Sequence, residues 1–321
     1  MNRTGEVSMS KGKVLLSITG LNLGPWQQLL SAGREVVTSP DGPADPSIHY
    51  AVVWRQPANI LKSLPNLKAI FSVGAGVDHI LADRTVPDVP IVRVVADNLT
   101  QYMTEYVVWR VLDHHRLGVA YRIQQKRKVW RELPQRTASD ISVGIMGFGT
   151  LGRAAASALL SLGFRVNGWS RSGRTMDGVT AFGGDSGMIP FLNATDILVV
   201  LLPLTPATRG IVDYDLLKQL RRRNGLGGAV LINAGRGRLQ KDDDILRALE
   251  DGTLKEASLD VFEVEPLPKT SGLWAHPRVF VTPHAAAMSD PSHLAGPMLA
   301  HMDAHDAGAP LQNLVDRQAG Y

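Results

Sequence analysis

Short β-branched runs alternate with amphipathic stretches twice along this chain, and that alternation leaves few folds open. KVLLSITG, REVVTS, HYAVVW, LKAIFSVG and PIVRVVA have the length and composition of strands. PWQQLLSAG and NILKSLPN, between them, read as helices. A second series, ISVGIMG, FRVNGWS, DILVVLLP, GAVLINA, KEASLDVF and RVFVTP, begins at Ile141. Its runs are more continuously apolar, as strands covered on both faces are. Such alternation predicts parallel sheets with helices on both faces, so the expected class is α/β and doubly wound. Residues 100–125 carry apolar positions at helical spacing and are expected to form one long helix joining two sequential units. The closing segment PSHLAGPMLAHMDAHDAG is helical in pattern, but pattern alone does not say where it packs.

Composition narrows the function classes. With 321 residues the chain has room for two domains, and 44% hydrophobic with 20% charged residues is ordinary for a globular protein. The net charge of +4 is dispersed. RRR at 221–223 is the densest basic run and reads as a solvated loop beside a helix end, so no nucleic-acid partner is expected. Without cysteine there is no disulfide, thiolate nucleophile or zinc–thiolate site, which suits a reducing compartment. The start, MNRTGEVSMSKGK, is polar, and its first dozen residues are expected to be poorly ordered. No apolar run approaches the ~18–20 residues of a membrane span. The expected location is cytoplasmic, with no membrane partner.

The chemistry begins at SVGIMGFGTLGRAAASALLSLG, where a strand runs into Gly147-x-Gly149-x-x-Gly152 and then an Ala/Leu-rich helix. Gly147 permits a tight turn, Gly149 lets backbone approach a pyrophosphate, and Gly152 lets helix and strand pack closely. The helix N-terminus offers free N–H groups to phosphates, so Phe148, Thr150 and Leu151 join the glycines as cofactor candidates. The next strand ends at Ser170, about 20 residues on, where an acid would hold the 2′-OH of NAD. Serine removes the repulsion of a 2′-phosphate, and Arg171 and Arg174 supply cations suited to it. This points to NADP(H) as the preferred cofactor, with NAD(H) use still open. The bland alternative is an exposed loop whose arginines meet only water.

Three later segments sit at successive strand ends, where open α/β sheets place ligands. They are LINAGRG with Arg236, SLDVFEVEPLP with Asp260 and Glu265, and VTPHAAA with His284. With these segments in this order, the chain resembles the D-isomer-specific 2-hydroxyacid dehydrogenases over nearly its whole length. The resemblance runs through VGAGVDHI, TEYVVWRVL, the glycine turn, LLPLTPATRGIV, NAGRG, LDVFEVEPLP and TPH, in order. Within that family it looks most like the bacterial A-type glyoxylate/hydroxypyruvate reductases, through WSRSGR, QQKRKVWRELP, LWAHPRV and the VDRQAGY ending.

The resemblance implies a Rossmann NAD(P)-binding domain at 100–287 inserted into a flavodoxin-like substrate domain of 1–99 and 288–321, with the active site in the cleft. Residues after about 288 would rejoin the first domain. It also implies hydride transfer from a reduced nicotinamide to the keto carbon of a small 2-oxo acid. His284 would protonate the oxygen, oriented and favoured as imidazolium by Glu265. Arg236 would bind the carboxylate and polarise the carbonyl. Backbone N–H groups around Gly74, Ala75 and Gly76 would hold the other carboxylate oxygen, and Trp54 is a candidate pocket wall. Asp260 would orient the nicotinamide carboxamide, while Leu202, Pro203, Thr208 and Ala234 would line the cofactor. Family members are commonly homodimers whose nucleotide domains pair, and Trp130 would stand near the subunit contact or the substrate pocket, core or interface packing being the plainer role. Arg238 reads as a surface residue. Glyoxylate, hydroxypyruvate and bulkier analogues share one carboxylate–carbonyl pair, so the motifs serve all of them.

Rival readings are weaker. GGDSGM contains Gly-Asp-Ser-Gly, but a wound α/β chain lacks the paired β-barrels of proteases that use that turn. His301 and His305 are one helical turn apart with no third ligand evident, so no metal is expected. A nucleotide-sensing protein on the same fold, without turnover, is the serious rival. Against it stands the full set of Arg236, Glu265 and His284.

Overall fold

The computed structural model describes residues 11–38, 45–93, 97–223 and 225–321. Most of the segment expected to be poorly ordered, residues 1–10, lies outside the described residues, as do Ser39 at the end of REVVTS and residues 94–96 at the end of PIVRVVA. Two compact units are present: 1–96 with 289–321, and 97–288.

In the first unit, β1 (Lys13–Ile18), β2 (Val36–Val37), β3 (Ile48–Trp54), β4 (Ala69–Ser72) and β5 (Ile91–Val92) form a parallel sheet in the order β2-β1-β3-β4-β5. This is the flavodoxin-like order. Helix α1 (Leu23–Ser31) starts at Asn22, whose side chain accepts from the Gly24 N–H. It buries Trp26 and Leu30 against Val14, Leu16 and Val52. The other sheet face carries Leu15, Ala51, Val53 and Ile70. Neighbouring residues of one strand thus enter different cores, which is why these strands read as continuous apolar runs. NILKSLPN makes only a single 3-10 turn, Leu61–Ser63, rather than the expected helix, because Pro65 follows it within one turn. Helix α2 (Asp78–Leu81) is one turn long.

The second unit opens with two helices rather than one. The long helix expected over 100–125 is two helices, α3 (Asp97–His115) and α4 (Gly118–Lys126). The break falls at Leu117, which takes a left-handed backbone with φ 59°. A side chain on Gly118 would overlap the Asp113 carboxylate, so glycine allows the chain to turn back there. The turn brings both terminal nitrogens of Arg122 onto Asp113, at 2.8 and 2.9 Å. Periodicity sees the apolar spacing on both sides of such a turn but not the turn itself.

The strands β6 (Ser142–Met146), β7 (Arg165–Ser170), β8 (Val179–Gly183), β9 (Ile197–Val200), β10 (Ala229–Asn233), β11 (Leu254–Leu259) and β12 (Val279–Val281) form a seven-stranded parallel sheet. Its order is β12-β11-β10-β9-β6-β7-β8. The chain starts in the middle, winds outward one way through β7 and β8, then the other way through β9 to β12, as in a Rossmann sheet. Helices α5 (Thr150–Ser161), α6 (Gly184–Asn193), α7 (Tyr214–Lys218) and α8 (Asp242–Glu250) connect the strands. Leu198, Val200 and Leu231 enter one core and Ile197, Val199, Val230 and Ile232 the other. Each such side chain contributes about 1.5–3 kcal/mol when buried. β8 is an edge strand, only half-buried, and its VTAFG carries too little apolar signal to be read from sequence. Gly-Asp-Ser-Gly, the protease-like turn, begins helix α6, and Ser186 is exposed there.

RRR at 221–223 also differs from expectation. Arg221 is half-buried and pairs through Nε and Nη2 with Asp196, a fully buried carboxylate that also accepts the Ser142 N–H at 2.8 Å. Only Arg222 and Arg223 face solvent. A buried carboxylate needs a partner, and a cation across the loop supplies it.

The chain then returns to the first unit as α9 (Pro291–Asp306), capped by Asp290, with Leu294, Ala295, Met298 and Met302 in the core beneath α1. Beyond it, Leu314 bridges Val92 antiparallel, extending β5. His301 Nε2 accepts the Gln312 N–H at 2.9 Å, and His305 Nδ1 lies 2.9 Å from the Tyr50 hydroxyl. Both imidazoles are therefore engaged in packing the C-terminal segment.

Candidate active site

All seven strands of the second unit run parallel, so their C-terminal ends share one sheet edge. The glycine turn follows β6, Ser170 closes β7, Leu202 and Pro203 follow β9, Ala234 and Arg236 follow β10, Asp260 and Glu265 follow β11, and His284 follows β12. The sequence-predicted residues of this unit are thus gathered on one edge by topology alone.

At the turn, Gly147 has φ 112°, and a side chain on it would come within 2.6 Å of the Leu201 backbone. A side chain on Gly152 would overlap the Gly147 carbonyl oxygen. Packing accounts for both glycines. Gly149 is different: a side chain there would meet nothing within 4 Å. The protein's own packing does not require that glycine, whereas a pyrophosphate lying on the backbone would. Helix α5 begins at the next residue with no side-chain cap, which leaves its first-turn N–H groups for an anion. These residues fit a dinucleotide. Phe148 contributes differently from expectation. Its ring is 1% exposed and lies against Gly168, and its N–H donates to the Trp169 carbonyl at 3.2 Å. It anchors the turn to β7.

Beyond β7, Ser170 Oγ accepts the Arg174 N–H at 3.0 Å, and its carbonyl accepts the Gly173 N–H. The serine therefore shapes the loop while its own proton is available for donation. Arg171 and Arg174 are both exposed. Beyond β9, the Thr208 hydroxyl donates to the Pro203 carbonyl at 2.7 Å and accepts the Thr205 N–H at 2.8 Å. Its polar atom closes the 203–208 loop. Leu202 and Ala234 are buried.

Arg236 is half-buried, and its guanidinium donates to the Gly235 carbonyl at 2.8 Å. Its turn is held by Asn233, fully buried, which accepts from the Gly235 N–H and donates to the Arg236 carbonyl and Gln240 Oε1. Sequence reading did not single out Asn233 or Gln240. The available signal was two amides flanking the NAGRG turn, at a place where an unpaired buried amide would be costly. Arg238 is exposed, as a surface residue should be.

His284 Nδ1 lies 2.9 Å from Glu265 Oε2, and Glu265 Oε1 accepts the Phe262 N–H at 3.1 Å. Both carboxylate oxygens are thus engaged, and an ionised glutamate requires a proton on Nδ1 of the ring. That leaves Nε2 as the outward nitrogen of a side chain 29% exposed. The backbone of His284 is left-handed, with φ 53°, an unusual state for a residue with a side chain. Asp260 secures it. The Asp260 carbonyl accepts the His284 N–H at 2.8 Å. Its carboxylate accepts the Ala285 N–H at 2.8 Å, the Ala286 N–H at 3.0 Å and the Thr282 hydroxyl at 2.7 Å.

In the first unit, the VGAGVD turn follows β4. The Ser72 hydroxyl, fully buried, reaches the carbonyls of Gly74 at 2.8 Å and Gly76 at 3.2 Å. Because a trans peptide directs its C=O and N–H oppositely, the Ala75 N–H points away from Ser72. Gly74 has another explanation than substrate approach, since a side chain there would overlap the Trp54 indole. Trp54 itself is half-buried and tilts against His79 at 4.7 Å between ring centroids.

Two α/β units, one of them carrying a pinned His–Glu pair on the same sheet edge as a dinucleotide turn, define a nucleotide-dependent oxidoreductase. Residues 108–286 match the model of the D-isomer specific 2-hydroxyacid dehydrogenase NAD binding domain, and the chain belongs to that family. Among curated relatives, the glyoxylate/hydroxypyruvate reductase A of Serratia proteamaculans is 40% identical over 287 residues, 88% of this chain and 89% of that protein. The crystal structure of NADPH-dependent glyoxylate/hydroxypyruvate reductase from Sinorhizobium meliloti, in complex with NADP and sulfate, superposes with a TM-score of 0.92 at 43% identity. It covers 97% of this chain and 100% of that one. A D-isomer specific 2-hydroxyacid dehydrogenase from Xanthobacter autotrophicus, in complex with NADPH and MES, gives 0.91 at 38% identity over 97% and 100% of the two chains. Among the described residues, no helix is long and apolar enough to cross a membrane, and no cluster of three or more His, Cys, Asp or Glu could hold a metal ion.

Proposed function

We propose that this protein reduces a small 2-oxo acid, of the glyoxylate and hydroxypyruvate class, to the 2-hydroxy acid at the expense of NADPH. The observation that carries the proposal is the His284–Glu265 hydrogen bond on the sheet edge that also bears the glycine turn. NADPH, when bound, supplies the hydride. His284 then delivers a proton from Nε2 to the carbonyl oxygen, while Glu265 holds the ring by Nδ1. Arg236 binds the substrate carboxylate and stabilises the developing negative charge on that oxygen. Gly74, Ala75 and Gly76 are assigned to the carboxylate as well, and Trp54 to the substrate's side. Gly147, Gly149, Thr150, Leu151 and Gly152 are assigned to the pyrophosphate, Ser170, Arg171 and Arg174 to the 2′-phosphate, and Leu202, Pro203, Thr208, Ala234 and Asp260 to the remainder of the dinucleotide.

A homodimer in the cytoplasm belongs to the same proposal. Support for the dimer comes from Trp130, whose side chain is fully solvent-exposed, beside Val129 at 45%. Such an apolar pair is more at home in an interface.

The test is NADPH oxidation followed by absorbance with glyoxylate, hydroxypyruvate and bulkier 2-oxo acids. Turnover with the small acids is expected. His284→Ala should lower kcat by roughly 10²–10⁴-fold with NADPH affinity retained. Tight NADPH binding without turnover of any 2-oxo acid would instead mark a nucleotide sensor.

A further inference from the structure

We propose that Tyr106, on helix α3, is a positioning residue for His284, acting through Thr282 and Asp260. The proposal rests on the reading of His284 as the proton donor.

The hydroxyls of Tyr106 and Thr282 are 2.9 Å apart. Thr282 Oγ1 lies 2.7 Å from Asp260 Oδ1, and an ionised carboxylate only accepts. Threonine's single proton is therefore committed to Asp260, and the tyrosine must be the donor in the outer bond. The donors converge on one carboxylate: Tyr106 O–H donates to Thr282 Oγ1, Thr282 O–H donates to Asp260, and the N–H groups of Ala285 and Ala286 donate to Asp260 from the other end of this hydrogen-bonded chain. Tyr106 is 6% exposed, and burial pushes its phenol up to about 12, so it keeps its proton throughout the neutral range.

His284 sits in the middle of what this chain grips. Its left-handed backbone persists only where surrounding bonds over-determine it. Asp260 supplies those bonds, but a carboxylate at the end of a strand can still rotate about its own χ angles. Thr282, itself held by Tyr106, restricts that rotation by donating to Oδ1. The same helix face holds the neighbouring strand residue, since the Arg110 guanidinium lies 3.8 Å over the Phe280 ring and Arg110 Nε donates to Ser258 at 2.9 Å. Tyr106 and Arg110 are one helical turn apart and grip β12 and β11 immediately before the catalytic loops. Among the contacts just named, only the tyrosine bond runs toward the His284 segment.

The experiment uses the full chain with Tyr106→Phe, Thr282→Val and Thr282→Ser. Thermal unfolding establishes that each is folded. For Tyr106→Phe and Thr282→Val we expect kcat to fall about tenfold, with KM for NADPH within about twofold of the parent. Thr282→Ser, which keeps the hydroxyl, should restore most of kcat. Hydrogen–deuterium exchange gives a readout independent of turnover: the Ala285 and Ala286 amides should exchange faster in Tyr106→Phe and Thr282→Val than in the parent or Thr282→Ser. Unchanged exchange at those amides in folded Tyr106→Phe would overturn the proposal, as would a loss of NADPH affinity with kcat intact. Should the parent turn over no 2-oxo acid, the assignment of His284 fails, while the exchange comparison still decides whether Tyr106 holds the loop.

Discussion

At the scale of single residues, the cofactor preference turns on charge at the end of β7. Ser170 adds no negative charge there, and its hydroxyl already receives the Arg174 N–H, so an aspartate could take over that bond while introducing repulsion. Ser170→Asp combined with Arg171→Ala should therefore preserve the loop and invert its electrostatics. Each charge-assisted hydrogen bond to a phosphate contributes about 1.5–3 kcal/mol. The ratio of kcat/KM for NADPH over NADH should consequently fall by roughly 10–100-fold. Steady-state kinetics with both cofactors checks this, and an unchanged ratio would dismiss the loop as the selector. The His284–Glu265 pairing shows how far the family resemblance extends at this scale: the glutamate it implied as the partner stands 2.9 Å from the imidazole.

At the scale of elements, helix α3 is held to β11 by buried polar groups as well as by apolar packing. His114 Nδ1 lies 2.6 Å from Glu256 Oε2, and its Nε2 lies 2.7 Å from the Ser258 hydroxyl, which also accepts from Arg110 Nε. Arg110 continues to Asp113, and Asp113 to Arg122. Burial lowers the His114 imidazole from its ordinary 6.5, outweighing the opposing influence of Glu256. A histidine with a depressed folded value binds fewer protons when folded than when unfolded. Its contribution is therefore complete above about 6.5 and declines as pH falls through the folded value. The melting temperature should drop on acidification below that point, and His114→Gln should flatten the slope, as measured by calorimetry across pH 5–8. A parent slope that His114→Gln leaves unaltered would place the acid sensitivity elsewhere. This network also accounts for the difficulty of reading α3 from sequence. Its buried face includes Arg110, His114 and His115, so the helix lacks the clean apolar stripe that marks a core helix.

At the scale of the whole molecule, the two units differ in what they expose. Trp130, Val129, Trp109 and Trp274 are large apolar side chains of the second unit left to solvent in one copy of the chain. If Trp130 belongs to an interface between copies, light scattering on purified protein should return twice the 34.8 kDa chain mass. Trp130→Glu should then shift the population toward one copy, since a charge at the centre of an apolar contact typically costs several kcal/mol. A single-chain mass for the parent at micromolar concentration would refute the dimer.

Sequence by itself determined the α/β class, the glycine turn with its helix, the serine and arginines at the second strand end, and the Arg, Glu and His of the strand-end motifs. These are local signals: periodicity, turn chemistry and residue type are written within a few positions of each other. Only the tertiary structure decided that α3 breaks at Leu117, that Arg221 answers a buried Asp196, that Gly74 makes room for Trp54, and that Tyr106 reaches Thr282. Each of those depends on which distant group stands opposite, and a buried polar atom's partner is set by packing in three dimensions rather than by its neighbours along the chain.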